Sequence, residues 1–264
     1  MGFLDEVVRA TRAAVEDPAY LAGLPTGPGD PGPSLRDAVL RERERGALIV
    51  EFKRTSPGSP DPELPVRSVS EFVDRVGAAP PTAYSCIASV PRFHGRPEDV
   101  AEMRRRTELP ILFKDFVVGP AQLDAARRGG ASAILLIARL ARGPEPVPLI
   151  ELSRGAHERG LEVLLEFHDR AELKLAEGVA ADMYGVNVRD LDTLRIERAE
   201  AEATLAAAQH LRPLLGLSGV DGPAAARRFW ELDVDGLLVG SAVARAPDPA
   251  RFVRSLRRSP GGDR

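Results

Sequence analysis

Asparagine occurs once in the 264 residues, at Asn187, cysteine once, at Cys86, and lysine three times, at Lys53, Lys114 and Lys174. The lone cysteine excludes an internal disulfide framework and thiolate-based zinc sites, and it fits a reducing compartment. An excess of charge of one sign is missing too. Thirty-six Lys and Arg against 39 Asp and Glu leave a formal net charge of -3. No global basic field therefore attracts nucleic acid or an anionic membrane, and an anionic ligand needs a local site. No apolar run approaches the roughly 18 residues that suggest a membrane span. The start, Met1-Gly2-Phe3-Leu4-Asp5-Glu6, followed by Arg9 and Arg12, has no apolar core of a secretory leader. Cytoplasm is the expected location. The four histidines, His94, His157, His168 and His210, lack metal-ligand spacing such as H-x-x-x-H. They read as surface or rim residues, and no metal is expected.

What is present is ordinary globular composition, 44% hydrophobic and 28% charged, which excludes disorder. Only three of the 36 basic residues are lysines and the rest are arginines. Where arginine has displaced nearly every lysine, a surviving lysine marks a need for a compact, titratable ammonium that a guanidinium cannot imitate.

Apolar, β-rich runs recur at 47–52, 83–88, 110–113, 133–137, 161–166, 183–188, 214–217 and 236–239. Between them lie stretches with helical spacing at 70–76, 98–106, 121–128, 149–159, 171–176, 199–210 and 223–232. Continuous apolar strands alternating with helices imply parallel strands buried on both faces, and eight repeats suit a closed (β/α)8 barrel. An open doubly wound sheet is the competing arrangement. Residues 47–258 are assigned to the barrel and 1–46 to an N-terminal helical extension packed on it, with 259–264 a frayed tail. The extension holds helix-like stretches at 3–16 and 35–45, the second capped by Ser34, joined by a proline- and glycine-rich loop over 24–33. Such a preface can plug the bottom of a barrel or cover its active face. Residues 56–65 read as a long loop after the first strand, on the catalytic rim of a barrel.

In Ile49-Val50-Glu51-Phe52-Lys53 the strand period of two puts Glu51 and Lys53 on one side, at a carboxyl end. Lys114 ends a second strand and Glu166 another, so charges of both signs converge on one rim. The plain alternative is a set of ion pairs closing the core. Two lysines and two carboxylates in a desolvated pocket suit general acid-base work, because burial and neighbours bring their pKa values toward neutrality. A Schiff-base lysine stays open on spacing alone. Asn187 ends the sixth strand and can hold a substrate hydroxyl, or form an Asx turn. Arg189 and Asp190 follow it and can pair with each other. Ser218-Gly219 and Gly240-Ser241 end the last two strands, where loops of (β/α)8 barrels often bind phosphate. Cys86 reads as a buried small hydrophobe, Gly129-Gly130 as a helix stop, and Arg104-Arg105-Arg106 as a solvated helix end.

The strand-end signatures resemble the indole-3-glycerol phosphate synthase family, from about Leu48 to Asp248. Glu51-Phe52-Lys53-Arg54-Thr55-Ser56-Pro57 is similar to the family's E-x-K-R-x-S-P, and Leu112-Phe113-Lys114-Asp115-Phe116 to its L-x-K-D-F. Phe93-His94-Gly95, Leu164 through Asp169, Gly185 through Leu191, and Gly240-Ser241 through Asp248 follow in the family's order. The resemblance implies closure of 1-(2-carboxyphenylamino)-1-deoxyribulose 5-phosphate to an indole ring, with loss of carbon dioxide and water and without a cofactor. It implies Lys114 as general acid, Glu166 as the group moving protons in rearomatisation and dehydration, and Lys53 on the substrate carboxylate and available as a second acid. Glu51 would orient the lysines, Asn187 would hold a sugar hydroxyl, and Phe93 and Phe116 would flank the ring. Phosphate would sit on Ser56, Ser218, Gly219, Gly240 and Ser241, with Arg189 and Leu238 completing the substrate-binding set.

The sequence departs from the family pattern at Ser89, where a rim carboxylate is usual, and at Leu217, where an active-site glutamate is usual. The N-terminal helices also match the family poorly. These departures leave two further readings: a paralogue acting on a related substrate, or a non-catalytic barrel that binds a sugar phosphate. Among the carboxylates available to stand in for the missing glutamate are Asp190 and Asp221.

Overall fold

The structure, a computed structural model, describes residues 2–90, 92–176 and 178–258. The expected frayed tail, 259–264, lies outside the described residues. Eight strands form the centre: β1 (Ala47–Phe52), β2 (Ala83–Ile87), β3 (Ile111–Lys114), β4 (Ala133–Ile137), β5 (Glu162–Phe167), β6 (Met183–Asn187), β7 (Leu214–Leu217) and β8 (Gly236–Val239). Each pairs in parallel with the next, and β1 pairs with β8, so the sheet closes into a barrel. Closure excludes the open doubly wound sheet. Every residue of β1, β2, β4, β7 and β8 is buried, as expected of strands with the lumen on one face and helices on the other.

Two helices precede the barrel, α1 (Phe3–Glu16) and α2 (Leu35–Glu42). Around the sheet run α3 (Val69–Gly77), α4 (Pro97–Arg104), α5 (Pro120–Gly129), α6 (Leu149–Glu158), α7 (Arg170–Ala176), α8 (Arg198–Ala207) and α9 (Pro223–Glu231), followed by the short α10 (Ser241–Arg245) and α11 (Pro249–Ser255). Their construction is local. Ser68 accepts the Glu71 amide at 3.1 Å to start α3, whose Val69, Phe72, Val73 and Val76 face the sheet. Gly130, left-handed at φ 79°, stops α5. Among the described residues no helix is long and apolar enough to cross a membrane.

The N-terminal preface does both things that its sequence allows. Helix α2 closes the amino end of the barrel: the Glu162 carboxylate, at the first position of β5, accepts the amides of Leu35 and Arg36 at 2.9 and 3.0 Å and a hydrogen bond from Ser34. The acidic group thus satisfies donors that α2 leaves free at its N-terminus. Helix α1 sits at the opposite end. Glu6 pairs with Arg92 and Arg12 with Glu145, in the loops after β2 and β4, and Phe3 reaches the cavity at the carboxyl ends of the strands. The segment between them runs down the outside against α5, where the Gly29 amide donates to Arg127 O at 2.9 Å and Ser132 donates to Pro31 O at 2.5 Å. Arg105 and Arg106 are exposed as expected, but Arg104 helps to hold this segment: its guanidinium donates to Leu109 O at 2.5 Å and lies against Gly32, while its stem packs against Gly130.

Candidate active site

A cavity of about 640 Å³ opens at the carboxyl ends of the strands, within the range of small-molecule sites. The structure brings the sequence-derived candidates together there: Glu51, Lys53, Ser56, Phe93, Lys114, Phe116, Glu166, Asn187, Arg189, Ser218, Gly219, Leu238, Gly240 and Ser241 all line it.

Strand register sets the charged floor. Glu51 lies opposite Ser85 of β2 and Lys114 opposite Ile87. Glu51 then spans two ammonium groups, with Oε1 at 2.8 Å from Lys53 Nζ and Oε2 at 3.1 Å from Lys114 Nζ. Burial pushes the Glu51 carboxyl up, but Lys114 and Lys53 outweigh it and hold the group down to about 2. Burial pulls Lys53 below its ordinary value despite Glu51, with Lys114 acting in the same direction as burial. Lys114 goes the other way: burial opposes its charge, yet Glu51 and Glu166 together raise it. The two lysines are therefore chemically distinct, one held protonated and one eased toward release.

Glu166, 2% exposed, receives Asn187 Nδ2 on Oε1 at 2.9 Å. Its Oε2 has no hydrogen-bond partner among the described residues. Burial raises the carboxyl above its usual range, and Lys114 and Asn187 offset only part of that. Asn187 fulfils both of its sequence readings, since Oδ1 also accepts the Arg189 amide at 3.0 Å in an Asx turn.

The remaining lining divides into an apolar side and a hydroxyl- and glycine-bearing side. Phe93 and Phe116 stand with ring centroids 6.2 Å apart and planes tilted by 39°. Leu135, Ile137, Leu217 and Leu238 continue the apolar surface. Leu217, at the family's glutamate position, fills space that Gly185 leaves open: a Cβ at 185 would lie 2.7 Å from Leu217 Cδ1. On the other side Ser241 donates to Ser56 Oγ at 3.0 Å, joining β8 to the loop after β1. Ser218 and Gly219 have φ of 66° and 71°. For a serine this conformation costs about 1–2 kcal/mol, and such strain concentrates at functional positions. At Gly240 a Cβ would lie 2.7 Å from Glu51 Oε1 and 3.2 Å from Lys53 Nζ. Gly240→Ala is expected to push that ion pair aside, destabilising the fold by about 1–3 kcal/mol. A variant with an unchanged melting temperature would contradict this.

Several lining residues have no clear sequence signal. Phe3 comes from α1, Leu191, Leu194 and Ile196 from the approach to α8, Arg198 from the first position of α8, and Arg245 from α10. Asp115 is buried beside Lys114 and is held by Gln122 Nε2 and the Phe116 amide, both at 2.8 Å, and by Ser89. Burial lifts it to about 6 despite those bonds. Its signal was the polar residue directly after the strand-end lysine.

Three sequence readings are corrected here. Arg189 and Asp190 do not pair: Arg189 donates to Leu194 O at 2.6 Å, while Asp190 pairs with Arg139 at 2.6 Å. Asp190 is therefore committed and cannot replace the missing glutamate, and Asp221 stands exposed at the rim, 3.9 Å from Arg198. His168 is no surface residue but is 4% exposed. With Asp190 and Glu197 it brings ligand-type atoms within 4.8 Å of one another, yet the Arg139 guanidinium already occupies the cation's place on Asp190. Cys86 is fully buried as expected, and burial raises its thiol well above its ordinary value.

A likeness to thiamine phosphate pyrophosphorylase from Pyrococcus furiosus, with TM-score 0.57, 20% identity, and coverage of 82% of this chain and 95% of that one, speaks for the fold alone. Sequence comparison is more specific. An indole-3-glycerol phosphate synthase of Methanopyrus kandleri is 35% identical over 262 residues, covering 96% of this chain and 97% of the relative. Another, from Staphylococcus aureus strain Newman, is 30% identical over 262 residues, with 97% and 98% covered. The sequence pattern of the same family matches residues 9–256, so the chain belongs to the indole-3-glycerol phosphate synthase family.

Proposed function

We propose that the cavity converts 1-(2-carboxyphenylamino)-1-deoxyribulose 5-phosphate to indole-3-glycerol phosphate, releasing carbon dioxide and water. The observation that carries this reading is one buried cavity holding an ammonium kept protonated, at Lys114, and a carboxylate oxygen left unpaired, at Glu166. The reaction is redox-neutral and needs proton transfers rather than an electron carrier. Lys114 donates to the ketone oxygen as the ring carbon bearing the carboxylate attacks, forming the new carbon–carbon bond. Loss of carbon dioxide from that carbon returns its electrons to the ring system. The hydroxyl made from the ketone leaves as water, with Lys53, the more easily deprotonated lysine, as its acid, while Glu166 Oε2 removes the proton that completes the indole double bond.

The other residues bind and orient. Glu51 holds both ammonium groups at hydrogen-bond distance. Asn187 has one amide proton left after serving Glu166, enough for a sugar hydroxyl. Phe93 and Phe116 cover the anilino ring, Leu238 packs beside it, and Arg189 adds positive charge for the carboxylate. Ser56, Ser218, Gly219, Gly240 and Ser241 receive the phosphate through hydroxyls and closely approachable backbone.

The test is the fluorescence of the indole product from purified protein and the anilino-deoxyribulose phosphate. Turnover is expected, with an acid limb in kcat/KM above the ordinary glutamate range. Activity falls as pH drops through the raised Glu166 value, because the base must be ionised, and a basic limb follows as Lys53 loses its proton. Glu166→Gln should remove the acid limb and lower kcat by about 10²–10⁴-fold. Folded protein without turnover, or an acid limb surviving in Glu166→Gln, would overturn the assignment.

A further inference from the structure

His168 lies two residues beyond Glu166, buried and outside the cavity lining. Its ring joins two segments that do form that lining. Nδ1 is 2.6 Å from the carbonyl oxygen of Asn187, and Nε2 is 3.1 Å from Glu197 Oε2. A carbonyl and an ionised carboxylate only accept, so both contacts are hydrogen bonds only when the ring carries two protons. Glu197 sits between Ile196 and Arg198, at the end of the loop that also brings Leu191 and Leu194 to the cavity. The loop has a second fastening. Asp190 accepts the Asp192 and Thr193 amides at 3.0 and 2.7 Å and pairs with Arg139, which also pairs with Glu172. Glu172 in turn accepts the His168 amide at 2.8 Å. The charged groups around the ring are thus Glu197, Asp190 at 3.9 Å, Glu172 and the opposing Arg139.

We propose that His168 is a positioning residue for the cyclisation, its imidazolium clipping the 189–197 loop to the barrel wall and holding the Asn187 backbone that carries the Asn187–Glu166 hydrogen bond. The link to catalysis rests on the function proposed above; the clip itself does not. Burial lowers the His168 pKa, but the Asn187 carbonyl and Glu197 outweigh it and the net direction is upward. The clip is therefore complete below the ordinary histidine range and is released as pH rises through the raised value.

The test uses His168→Asn, which retains a donor for the Asn187 carbonyl but cannot reach Glu197, together with Glu197→Ala, which removes the acceptor for Nε2, and His168→Leu. Glu197 is 44% exposed, so its substitution leaves the fold intact. His168→Asn and Glu197→Ala are expected to raise KM about tenfold with kcat within about threefold of wild type, and His168→Leu to lower kcat by roughly a further order of magnitude. Wild-type KM should rise above the histidine transition, whereas in His168→Asn it should be high and flat across it. Amide exchange reads the clip without substrate. Leu194 and Glu197 donate to Asp190 O and Val188 O at 2.9 and 2.8 Å. Corrected for intrinsic chemistry, their exchange should accelerate across the same transition in wild type and be fast and pH-independent in His168→Asn. Exchange in which that transition survives His168→Asn would overturn the clip, even if the wild type turned over no anilino-deoxyribulose phosphate. Unchanged KM and kcat in all three variants of an active enzyme would overturn the positioning role.

Discussion

Lys114→Met is expected to lower kcat about a thousandfold while changing KM little. A positioned general acid is worth about 10²–10⁴ in rate, and Lys114 is the lysine whose surroundings favour its charge, with Glu51 at 3.1 Å and Glu166 adding to it. Methionine keeps the unbranched stem and removes only the ammonium. It also leaves Glu51 with Lys53 at 2.8 Å, one negative and one positive charge in the same buried space, so the variant should fold. Lys114→Arg separates charge from proton donation: a guanidinium keeps the positive charge but does not release its proton in this pH range. Its kcat should fall nearly as far as that of Lys114→Met. Fluorescence turnover measures both variants, and a Lys114→Met enzyme within fivefold of wild type would mean that the ketone is activated by another group.

The second large effect is on stability. In Glu51→Gln two ammonium groups, only 14% and 21% exposed, remain with no carboxylate between them. Removing one member of a buried ionic cluster costs about 3–5 kcal/mol. The cost has a ceiling, because a lysine can shed its proton instead, and moving that equilibrium from about 10.5 to 7 takes about 5 kcal/mol. For a domain of this size the melting temperature should drop by on the order of 10 °C at neutral pH. The dependence on pH has a definite sign. In the wild type, Glu51 is held down to about 2, so its contribution is complete above the ordinary glutamate range and is lost as pH falls from there toward about 2. Glu51→Gln lacks that acid-side loss. On the alkaline side its deficit should shrink as Lys53, already lowered by burial, gives up its proton. Thermal melts at pH 3, 7 and 10 decide the matter, and equal wild-type and variant stability at pH 7 would show that Glu51 does not neutralise the two lysines.

Most of the barrel was legible because parallel strands buried on both faces must be continuously apolar, and eight such runs stand out from amphipathic segments. Boundaries slipped by a residue at four strands: β2 and β6 stop at Ile87 and Asn187, one residue short of the apolar runs, while β3 and β5 start and end one residue later, with Lys114 at the strand end as its sequence suggests. The short helices α10 and α11 were not among the expected helical segments; α10, at five residues, holds little more than one turn of the period. The site was legible through scarcity. In a chain that uses arginine almost everywhere, Lys53 and Lys114 stand out at strand ends, as does the only asparagine.

Composition, periodicity and strand-end chemistry by themselves determined the strand count, the parallel arrangement, and which side chains face the mouth of the barrel. Only the tertiary structure decided which of them touch. Glu51 and Lys114 are 63 positions apart, on strands separated by β2, and the period of two says which face each occupies but nothing about distance across the lumen. Barrel closure and register set that distance, and with it the opposite shifts of Lys53 and Lys114. The same holds for the preface: two amphipathic helices and a proline-rich connection fit either end of a barrel. The Glu162 carboxylate draws α2 to the amino end, while ion pairs to the loops after β2 and β4 hold α1 at the other. His168 shows the limit most plainly, since a lone histidine after a strand looks solvated until folding encloses both of its nitrogens between acceptors from a neighbouring strand and loop.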